Sequence, residues 1–225
     1  GKTMAFGIPI IERIDPESEA VQAVILAPTR ELAMQITDEM RDIAVCHEGV
    51  RLVCLYGGQP IGKQIDALKR RPQIVVATPG RLSDHMKRRT VTLKDVSTVV
   101  LDEADRMLDM GFIHDIRRIL KVLPPRRQNL MFSATFANEI RELTKSIMHN
   151  PLEVSVAPAN ATAERVEQWV YPVDKKLKSD LLLELVVKND WQQVLVFSRT
   201  KHGANKLAHH LEKAGVNASA IHGNK

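Results

Sequence analysis

Aromatic residues are scarce in this chain of 225 residues, where they make up 4% of the total. Proteins that bind single strands by base stacking rely on aromatic side chains, so this scarcity argues against stacking as the main grip on a nucleic acid. The two cysteines, Cys46 and Cys54, form neither a disulfide framework nor a metal-ligand pattern. We therefore expect two buried free thiols in a cytoplasmic protein.

Long apolar runs are also missing, since none reaches the ~18 to 20 residues that a membrane-spanning helix needs. We expect no membrane association. No signal peptide is present, but the chain begins at Gly1 without an initiator Met, so this absence carries little weight. The hydrophobic content of 44% is enough for a sizeable core in one or two domains. A net charge of +5 mildly favours a polyanionic partner.

Short β-rich runs alternate with amphipathic helical patterns in the first two thirds of the chain. In one helical pattern Leu32, Ile36 and Met40 recur at helical spacing, and Ile116 and Ile119 do so in another. The runs between them are nearly continuous in Val, Ile and Leu, as in parallel strands covered on both faces. This alternation predicts a doubly wound parallel α/β sheet. The predicted strands are Ala23–Ala27, Arg51–Leu55, Gln73–Ala77, Thr98–Leu101, Asn129–Phe132 and Leu152–Val156.

The pattern then breaks at Ala157, where apolar periodicity is lost. We predict a first domain over residues 1–156, a linker over 157–166 and the start of a second domain over 167–225. The alternation restarts there with strands Gln168–Val173, Gln193–Phe197 and Ala218–Ile221 and helices Lys176–Val187 and Lys201–Ala214. A domain with only three parallel strands would have an unpaired sheet edge and a thin hydrophobic core. We therefore expect this second part to be truncated.

Gly1, Lys2 and Thr3 open a helical stretch, as the tail of a phosphate-binding loop does. In such a loop the lysine neutralises phosphate and the Thr hydroxyl ligates Mg²⁺. A chance tripeptide is the alternative. Asp102 and Glu103 follow the predicted strand Thr98–Leu101, at the sheet edge where ligands bind in open α/β folds. There Asp102 is expected to hold Mg²⁺ and Glu103 to act as general base on water, although an acidic helix start also fits the charges.

Ser133, Ala134 and Thr135 lie between a predicted strand and a predicted helix. Two readings are open. The hydroxyls can cap the helix, or they can hydrogen-bond Asp105 and report the state of the nucleotide.

The motifs taken together resemble those of the DEAD-box RNA helicases. The resemblance rests on GKT (1–3), PTRELA (28–33), Gly57–Gly58, TPGR (78–81), DEAD (102–105), SAT (133–135), LVFSRT (195–200) and IHGNK (221–225). The stretches 104–118 and 191–205 are further similar to the bacterial RhlE-type subgroup. The resemblance covers essentially the whole chain and implies two RecA-like domains that close on ATP and a single RNA strand.

By this resemblance, Gly1, Lys2 and Thr3 bind phosphate, Thr3 and Asp102 hold Mg²⁺, and Glu103 activates water. Asp105, Ser133, Ala134 and Thr135 would couple hydrolysis to unwinding. The implied RNA-binding residues are Pro28, Thr29, Arg30, Gly57, Gly58, Thr78, Pro79, Gly80 and Arg81. Hydroxyls, helix N-termini and arginines grip phosphates without reading bases, which predicts sequence-independent binding. A helix cap or a tight turn is the alternative role for each of these residues.

Parts of the family pattern do not occur in this sequence: the first half of the phosphate-binding loop, the adenine-recognition segment and the arginine finger of the second domain. We therefore expect the 225-residue chain itself to be inactive. Two rival functions are an ATPase that acts on DNA and an RNA clamp that binds ATP without turnover.

Overall fold

The computed structural model describes residues 1–135, 138–155 and 167–223. It divides into two compact units, Gly1–Glu153 and Val154–Lys225. The helices of the first unit are α1 Lys2–Arg13, α2 Arg30–Ala44, α3 Ile61–Leu68, α4 Pro79–Lys87, α5 Ala104–Asp109, α6 Ile113–Val122 and α7 Asn138–Ile147. Its strands are β1 Ala23–Leu26, β2 Leu52–Leu55, β3 Ile74–Ala77, β4 Thr98–Leu101 and β5 Gln128–Met131.

The five strands form one parallel sheet in the order β2-β3-β1-β4-β5. Three strands, β1, β3 and β4, are buried at every position. The edge strands β2 and β5 are only partly covered, which their sequences did not reveal. The doubly wound parallel α/β fold is therefore confirmed for the first unit, and it is consistent with a RecA-like domain.

Alternate residues of each strand pack on opposite faces of the sheet, because side chains in a strand point to the two faces in turn. On one face Val24 and Leu26 pack in a cluster with Leu82, Met107 and Ile116 from the helices that follow β3 and β4. On the other face Ile25 packs with Phe6 of α1 and with Ile36 and Met40 of α2. Helices on both faces of the sheet close the core.

Two helices keep the positions that their apolar spacing predicted. In α2 the buried residues Ile36 and Met40 face the sheet, and the Thr29 side chain caps the first turn by accepting from the Leu32 N–H at 3.3 Å. In α6 Ile116 and Ile119 are buried in the same way. The predicted strand Leu152–Val156 is wrong as far as residue 155, since residues 152–155 are not in a strand and Leu152 is exposed.

The second unit contains α8 Lys178–Lys188 and α9 Lys201–Lys213, close to both predicted helices. The three strands predicted here, Gln168–Val173, Gln193–Phe197 and Ala218–Ile221, are wrong, because those residues form no strand. A parallel strand has to hydrogen-bond with a neighbouring strand, whereas a helix satisfies its own backbone. The predicted linker, residues 157–166, lies outside the described residues, and so does the end of IHGNK at residues 224 and 225.

The prediction that both thiols are buried is wrong for Cys46 and holds only in part for Cys54. Cys46 is exposed, just beyond the end of α2, and Cys54 is partly covered on the edge strand β2. Burial raises the pKa of the Cys54 thiol, and both cysteines are free. Among the described residues, no helix is both long and apolar enough to cross a bilayer.

Candidate functional site

The residues singled out in the sequence gather at the carboxyl end of the sheet, where all five parallel strands finish. Thr29, Gly57 and Thr78 come after the neighbouring strands β1, β2 and β3. Asp102 and Ser133 come after β4 and β5 on the other half of the sheet. The strand order therefore separates two groups: the segments assigned to phosphate and water chemistry, and the segments assigned to RNA.

An ion pair joins the first of these groups. The Nζ atom of Lys2, at the start of α1, lies 3.3 Å from Oδ1 of Asp102. Asp102 is only 2% exposed, and it directly follows β4, while the Lys2 side chain is 56% exposed. A lysine beside the amino end of a helix is a binding site for anions such as phosphate. The arrangement thus puts a cation next to a buried carboxylate at the carboxyl end of β4.

Thr3 is not part of that pair. Its side chain is buried, and its hydrogen bond to the Glu39 carboxylate of α2 is the largest cause of the lowered pKa of Glu39. A second hydrogen bond to Glu39 comes from Gln35, with its Nε2 2.8 Å from Glu39 Oε1. The structure therefore brings Lys2, and not Thr3, to Asp102. Gly1 precedes the helix and is exposed.

Glu103 has an unusual backbone conformation, with φ at +50° and ψ at +53°, in the left-handed region. A non-glycine residue there costs on the order of 1–2 kcal/mol, and such residues cluster at functional sites. Its backbone N–H donates to Asp102 Oδ1 at 3.0 Å. Its Oε2 atom lies 3.2 Å from Nη1 of Arg106, one turn further along α5. Arg106 was not predicted as a site residue, although its i+3 spacing from Glu103 is visible in the sequence.

Asp105 binds the segment after β5 through three hydrogen bonds. Its Oδ2 atom accepts from the Ala134 N–H at 3.2 Å, from the Thr135 N–H at 3.0 Å and from the Thr135 hydroxyl at 3.1 Å. Burial acts to raise the pKa of Asp105, but hydrogen bonds from Arg106, Thr135 and Ser133 outweigh it and lower that pKa. The contact with Asp105, one of the two roles predicted for this segment, is therefore present.

The Ser133 hydroxyl also donates to the Thr135 carbonyl at 2.8 Å. Near the same point, the Ala104 N–H donates to the Phe132 carbonyl at 3.0 Å. The chain segments that follow β4 and β5 are thus joined by side-chain and backbone bonds at once.

The segments that follow β1 and β2 approach each other at Gly58. This residue has φ at +90°, which favours glycine, and the Nη1 atom of Arg30 lies 3.9 Å from the point where a Cβ would be. A Cβ on Gly57 would meet no atom within 4 Å, so its backbone is open to a ligand. The Nε atom of Arg30 donates to Oε1 of Glu31 at 3.0 Å. Thr29 has the capping role that was the alternative to RNA contact, and its cap bond holds the start of α2 in place.

The segment that follows β3 begins α4, with Pro79 in the first turn. Thr78 donates its backbone N–H to the Leu55 carbonyl at 2.9 Å, but its side chain forms no cap bond to α4. A Cβ on Gly80 would lie 3.7 Å from a ring carbon of Phe112, which is ordinary contact. The Nη1 atom of Arg81 donates to the Gln59 carbonyl at 2.9 Å and to Gln64 Oε1 at 3.1 Å. Gln64 was not predicted as a site residue.

A dedicated metal cage is missing from the part of the chain that the structure describes, where no three His, Cys, Asp or Glu side chains cluster. Mg²⁺ does not need one, because it usually takes one or two carboxylates together with phosphate oxygens and water. The carboxylate of Asp102 beside a phosphate-binding lysine fits that donor set.

A parallel α/β domain with a lysine, two carboxylates and a hydroxyl-bearing segment at the carboxyl end of its strands has the architecture of a nucleotide-binding domain. The sequence model of the DEAD/DEAH box helicase family matches residues 1–143, and the chain belongs to that family. It is 46% identical over 223 residues to the DEAD-box ATP-dependent RNA helicase CshA of Bacillus licheniformis. It is 45% identical to the protein of the same name from Bacillus subtilis. An ATP-dependent RNA helicase CshA of Listeria monocytogenes is 46% identical.

Each of these matches covers 99% of this chain but 43% to 46% of the relative, so the chain spans less than half the length of the curated relatives it matches. Solved structures agree with the fold. A DEAD box protein from Methanococcus jannaschii superposes with a TM-score of 0.66 at 39% identity, covering 100% of this chain and 60% of that one. A hypothetical ATP-dependent RNA helicase from Sulfolobus tokodaii reaches a TM-score of 0.60 at 39% identity, over 67% of this chain and 43% of that one.

Proposed function

We propose that a full-length protein carrying this chain is an ATP-dependent RNA helicase, and that this chain supplies the ATP-binding part of its core. One observation carries the proposal: the Lys2–Asp102 pair and the Asp105–Thr135 contacts lie at the same sheet edge as the three segments assigned to RNA. The relatives named above as ATP-dependent RNA helicases match 99% of the chain.

In this proposal Lys2 and the backbone N–H groups at the start of α1 hold the phosphates of ATP. Asp102 would hold Mg²⁺, which neutralises charge that builds up on the phosphates during transfer. Thr3 would join it as a ligand after giving up its hydrogen bond to Glu39. Glu103 orients the attacking water and takes a proton from it at its carboxylate. Its backbone N–H is bonded to Asp102, which holds the base and the metal ligand in fixed relation.

Asp105 and Thr135 would carry the state of the nucleotide to the rest of the protein. Asp105 is two residues from the proposed general base, and it binds the segment after β5 through two backbone N–H groups and one hydroxyl. A shift of Asp105 would therefore move Ala134 and Thr135 with it. We propose that this link couples hydrolysis to unwinding.

RNA would lie across the ends of β1, β2 and β3, with its phosphates at Thr29, Arg30, Gly57, Gly58, Thr78 and Arg81. Pro79 and Gly80 would complete this surface at the start of α4. These groups are hydroxyls, arginines and backbone N–H groups, which position a phosphate backbone without reading its sequence. We therefore propose sequence-independent binding.

Three finer assignments stay predictions. Similarity of residues 104–118 and 191–205 favours the RhlE-type subgroup, although the curated relatives reported above carry the name CshA. A domain boundary near residue 156 and a second RecA-like domain from 167 onward are proposed from the sequence pattern. A cytoplasmic location is proposed from the two free cysteines.

The proposal is tested by ATP hydrolysis of the full-length protein with RNA, with DNA of the same sequence, and with neither. We expect RNA to stimulate turnover much more than DNA does. Equal stimulation by DNA would favour the rival ATPase that acts on DNA. Tight RNA and ATP binding without turnover would favour the non-catalytic clamp.

RNA affinity of the full-length protein is expected to fall steeply with salt, because bound phosphates release counterions. The expected slope of log K against log salt is about −0.7 for each phosphate neutralised on a single strand. Titrations at several salt concentrations with two unrelated RNAs measure it. Arg30→Gln and Arg81→Gln are each expected to flatten the slope by about one phosphate contact. Arg117→Gln, on the exposed surface of α6, serves as the control. A flat slope, or a strong preference for one RNA, would contradict phosphate-based binding.

The 225-residue chain alone is expected to show no RNA-stimulated ATP turnover. In its second unit the described residues form two helices and no strand, and large apolar side chains such as Leu195 and Phe197 are exposed. Without a sheet among its described residues, this unit cannot form a rigid surface that closes on the nucleotide. Its exposed apolar side chains also favour aggregation. Turnover with and without RNA, measured after circular dichroism has verified folding, tests this. A rate close to that of the full-length protein would contradict it.

A further inference from the structure

Two buried polar side chains are hydrogen-bonded to each other and, through one of them, to the RNA-facing segments, and neither belongs to a motif or to the proposed mechanism. The first is Gln64 of α3, which is only 2% exposed. The second is His85 of α4, which is fully buried and lies one helical turn after Arg81. Buried polar side chains are costly unless they are hydrogen-bonded, so a network in this position needs a reason.

All four hydrogen-bonding positions of the Gln64 amide are used. Its Nε2 donates to the Tyr56 carbonyl at 2.9 Å and to Gln59 Oε1 at 2.8 Å. Its Oε1 accepts from Arg81 Nη1 at 3.1 Å and contacts His85 Nε2 at 2.9 Å. Tyr56 and Gln59 flank Gly57 and Gly58, so a single side chain joins the glycine segment to Arg81.

The network also determines which ring nitrogen of His85 carries the proton. The Tyr56 carbonyl can only accept and Arg81 can only donate, so the Gln64 amide has one possible orientation, with Oε1 toward His85. His85 Nε2 must then donate. In the neutral ring Nδ1 accepts the Thr90 hydroxyl proton at 2.8 Å, in place of the longer bond from that hydroxyl to the His85 carbonyl at 3.1 Å. Burial first, and then the nearby Arg81 charge, lower the pKa of His85, which favours this neutral form.

Arg81 is thereby held by the protein through one of its nitrogens. Within the described ranges, the hydrogen bonds of this guanidinium all use Nη1, which leaves Nε and Nη2 to face a phosphate. Arginine binds phosphate best through two parallel N–H groups, a geometry that tolerates little rotation. A side chain that fixes the rotation of Arg81 therefore affects RNA binding without touching RNA.

We propose that Gln64 and His85 are positioning residues that lock Arg81 and the Gly57–Gly58 segment into one phosphate-binding surface for RNA. This inference rests on the proposed RNA-binding function of those segments. Gln64 sets the distance between the loop after β2 and the start of α4. His85, one turn after Arg81 in α4, holds Gln64 in place through its 2.9 Å hydrogen bond to Oε1. Neither residue contacts RNA or the nucleotide.

The test uses the full-length protein, with Gln64→Leu as the main variant and single-stranded RNA as the probe. Loss of one or two charge-assisted bonds to phosphate corresponds to roughly tenfold weaker RNA binding. The salt slope should flatten by about 0.7, because one phosphate contact is lost. ATP affinity should stay within about twofold, because Lys2 and Asp102 share no hydrogen-bond or ion-pair partner with Gln64 among the residues that the structure describes. A general loss of structure would lower RNA and ATP affinity together.

A mutant cycle with Arg81→Ala adds a second readout. If Gln64 acts through Arg81, Gln64→Leu weakens RNA binding much less when Arg81 is already alanine. The pair His85→Gln and His85→Leu supplies the rescue, since glutamine can place a donor near the position of Nε2 and leucine cannot. We expect His85→Gln to bind RNA close to wild type and His85→Leu to resemble Gln64→Leu. If Gln64→Leu does not fold, this pair decides the question by itself.

The outcomes separate this inference from the proposed function. If the wild-type protein binds no RNA, the proposed function fails. If it binds RNA and Arg81→Ala weakens binding, but Gln64→Leu and His85→Leu leave affinity and salt slope unchanged, the positioning role is wrong. Additive effects in the mutant cycle, or equal losses of RNA and ATP affinity, would also overturn it.

Discussion

Replacing Glu103 with glutamine is expected to slow ATP turnover about 10²- to 10⁴-fold in a full-length protein that carries this chain, the range that general-base catalysis contributes. Glutamine keeps the size of the side chain and an oxygen for the contact with Arg106, now 3.2 Å away. It cannot take a proton from water. ATP and RNA should still bind, because Lys2, Asp102 and the RNA-facing segments are unchanged.

Three measurements check this expectation: steady-state ATP hydrolysis, nucleotide affinity and RNA affinity. The matched control is Glu17→Gln, an exposed glutamate in the segment between α1 and β1. Turnover within about twofold of wild type would rule Glu103 out as the base, since the expected loss is at least about 10²-fold. If ATP affinity fell along with turnover, the change would have disturbed Asp102, to which the Glu103 N–H is bonded.

The first unit could be predicted from its sequence because its patterns are local and strong. Val24, Ile25 and Leu26 have the continuous apolar character of a strand buried on both faces, and β1 is such a strand. The sequence could not separate central strands from edge strands, because that depends on the order of the strands in space. The incomplete burial of β5 follows from its place at the edge of the sheet.

The second unit shows where local patterns fail. Its predicted helices formed near their expected ends, and α8 and α9 contact each other. Its predicted strands did not form, although Val194, Leu195 and Val196 have the same composition as the strands of the first unit. The composition of a strand indicates only a tendency, and the hydrogen bonds that stabilise it must come from a distant part of the chain.

Motif order predicted which residues gather at the sheet edge, because each motif follows a strand and parallel strands end on the same side. It did not predict the contacts between them. Thr3 pairs with Glu39, and Gln64 joins two segments that are separate in sequence. Such contacts depend on rotamers and on residues outside any motif. The hydrogen bond between Asp105 and Thr135 was one of two possibilities that spacing left open.

Replacing Lys2 with alanine is expected to reduce ATP affinity about tenfold to a hundredfold, because hydrogen bonds to charged groups contribute about 1.5–3 kcal/mol. Lys2 is placed for this role by α1 and by its 3.3 Å contact with Asp102. The variant should remain folded, since the Lys2 side chain is more than half exposed and water screens much of the ion pair.

The measurement for Lys2 is the affinity for a fluorescent ATP analogue, together with the thermal unfolding midpoint and RNA affinity without nucleotide. The control is Lys121→Ala, an exposed lysine in the last turn of α6. RNA affinity without nucleotide should not change, because the RNA-facing segments follow β1, β2 and β3, and among the described residues the ion pair recorded for Lys2 is with Asp102. Unchanged ATP affinity would show that Lys2 serves only to balance the buried charge of Asp102. A large drop in the unfolding midpoint, with a matching loss of RNA binding, would also assign Lys2 a structural role. Loss of a lysine that only binds phosphate should leave the RNA-facing half of the sheet undisturbed.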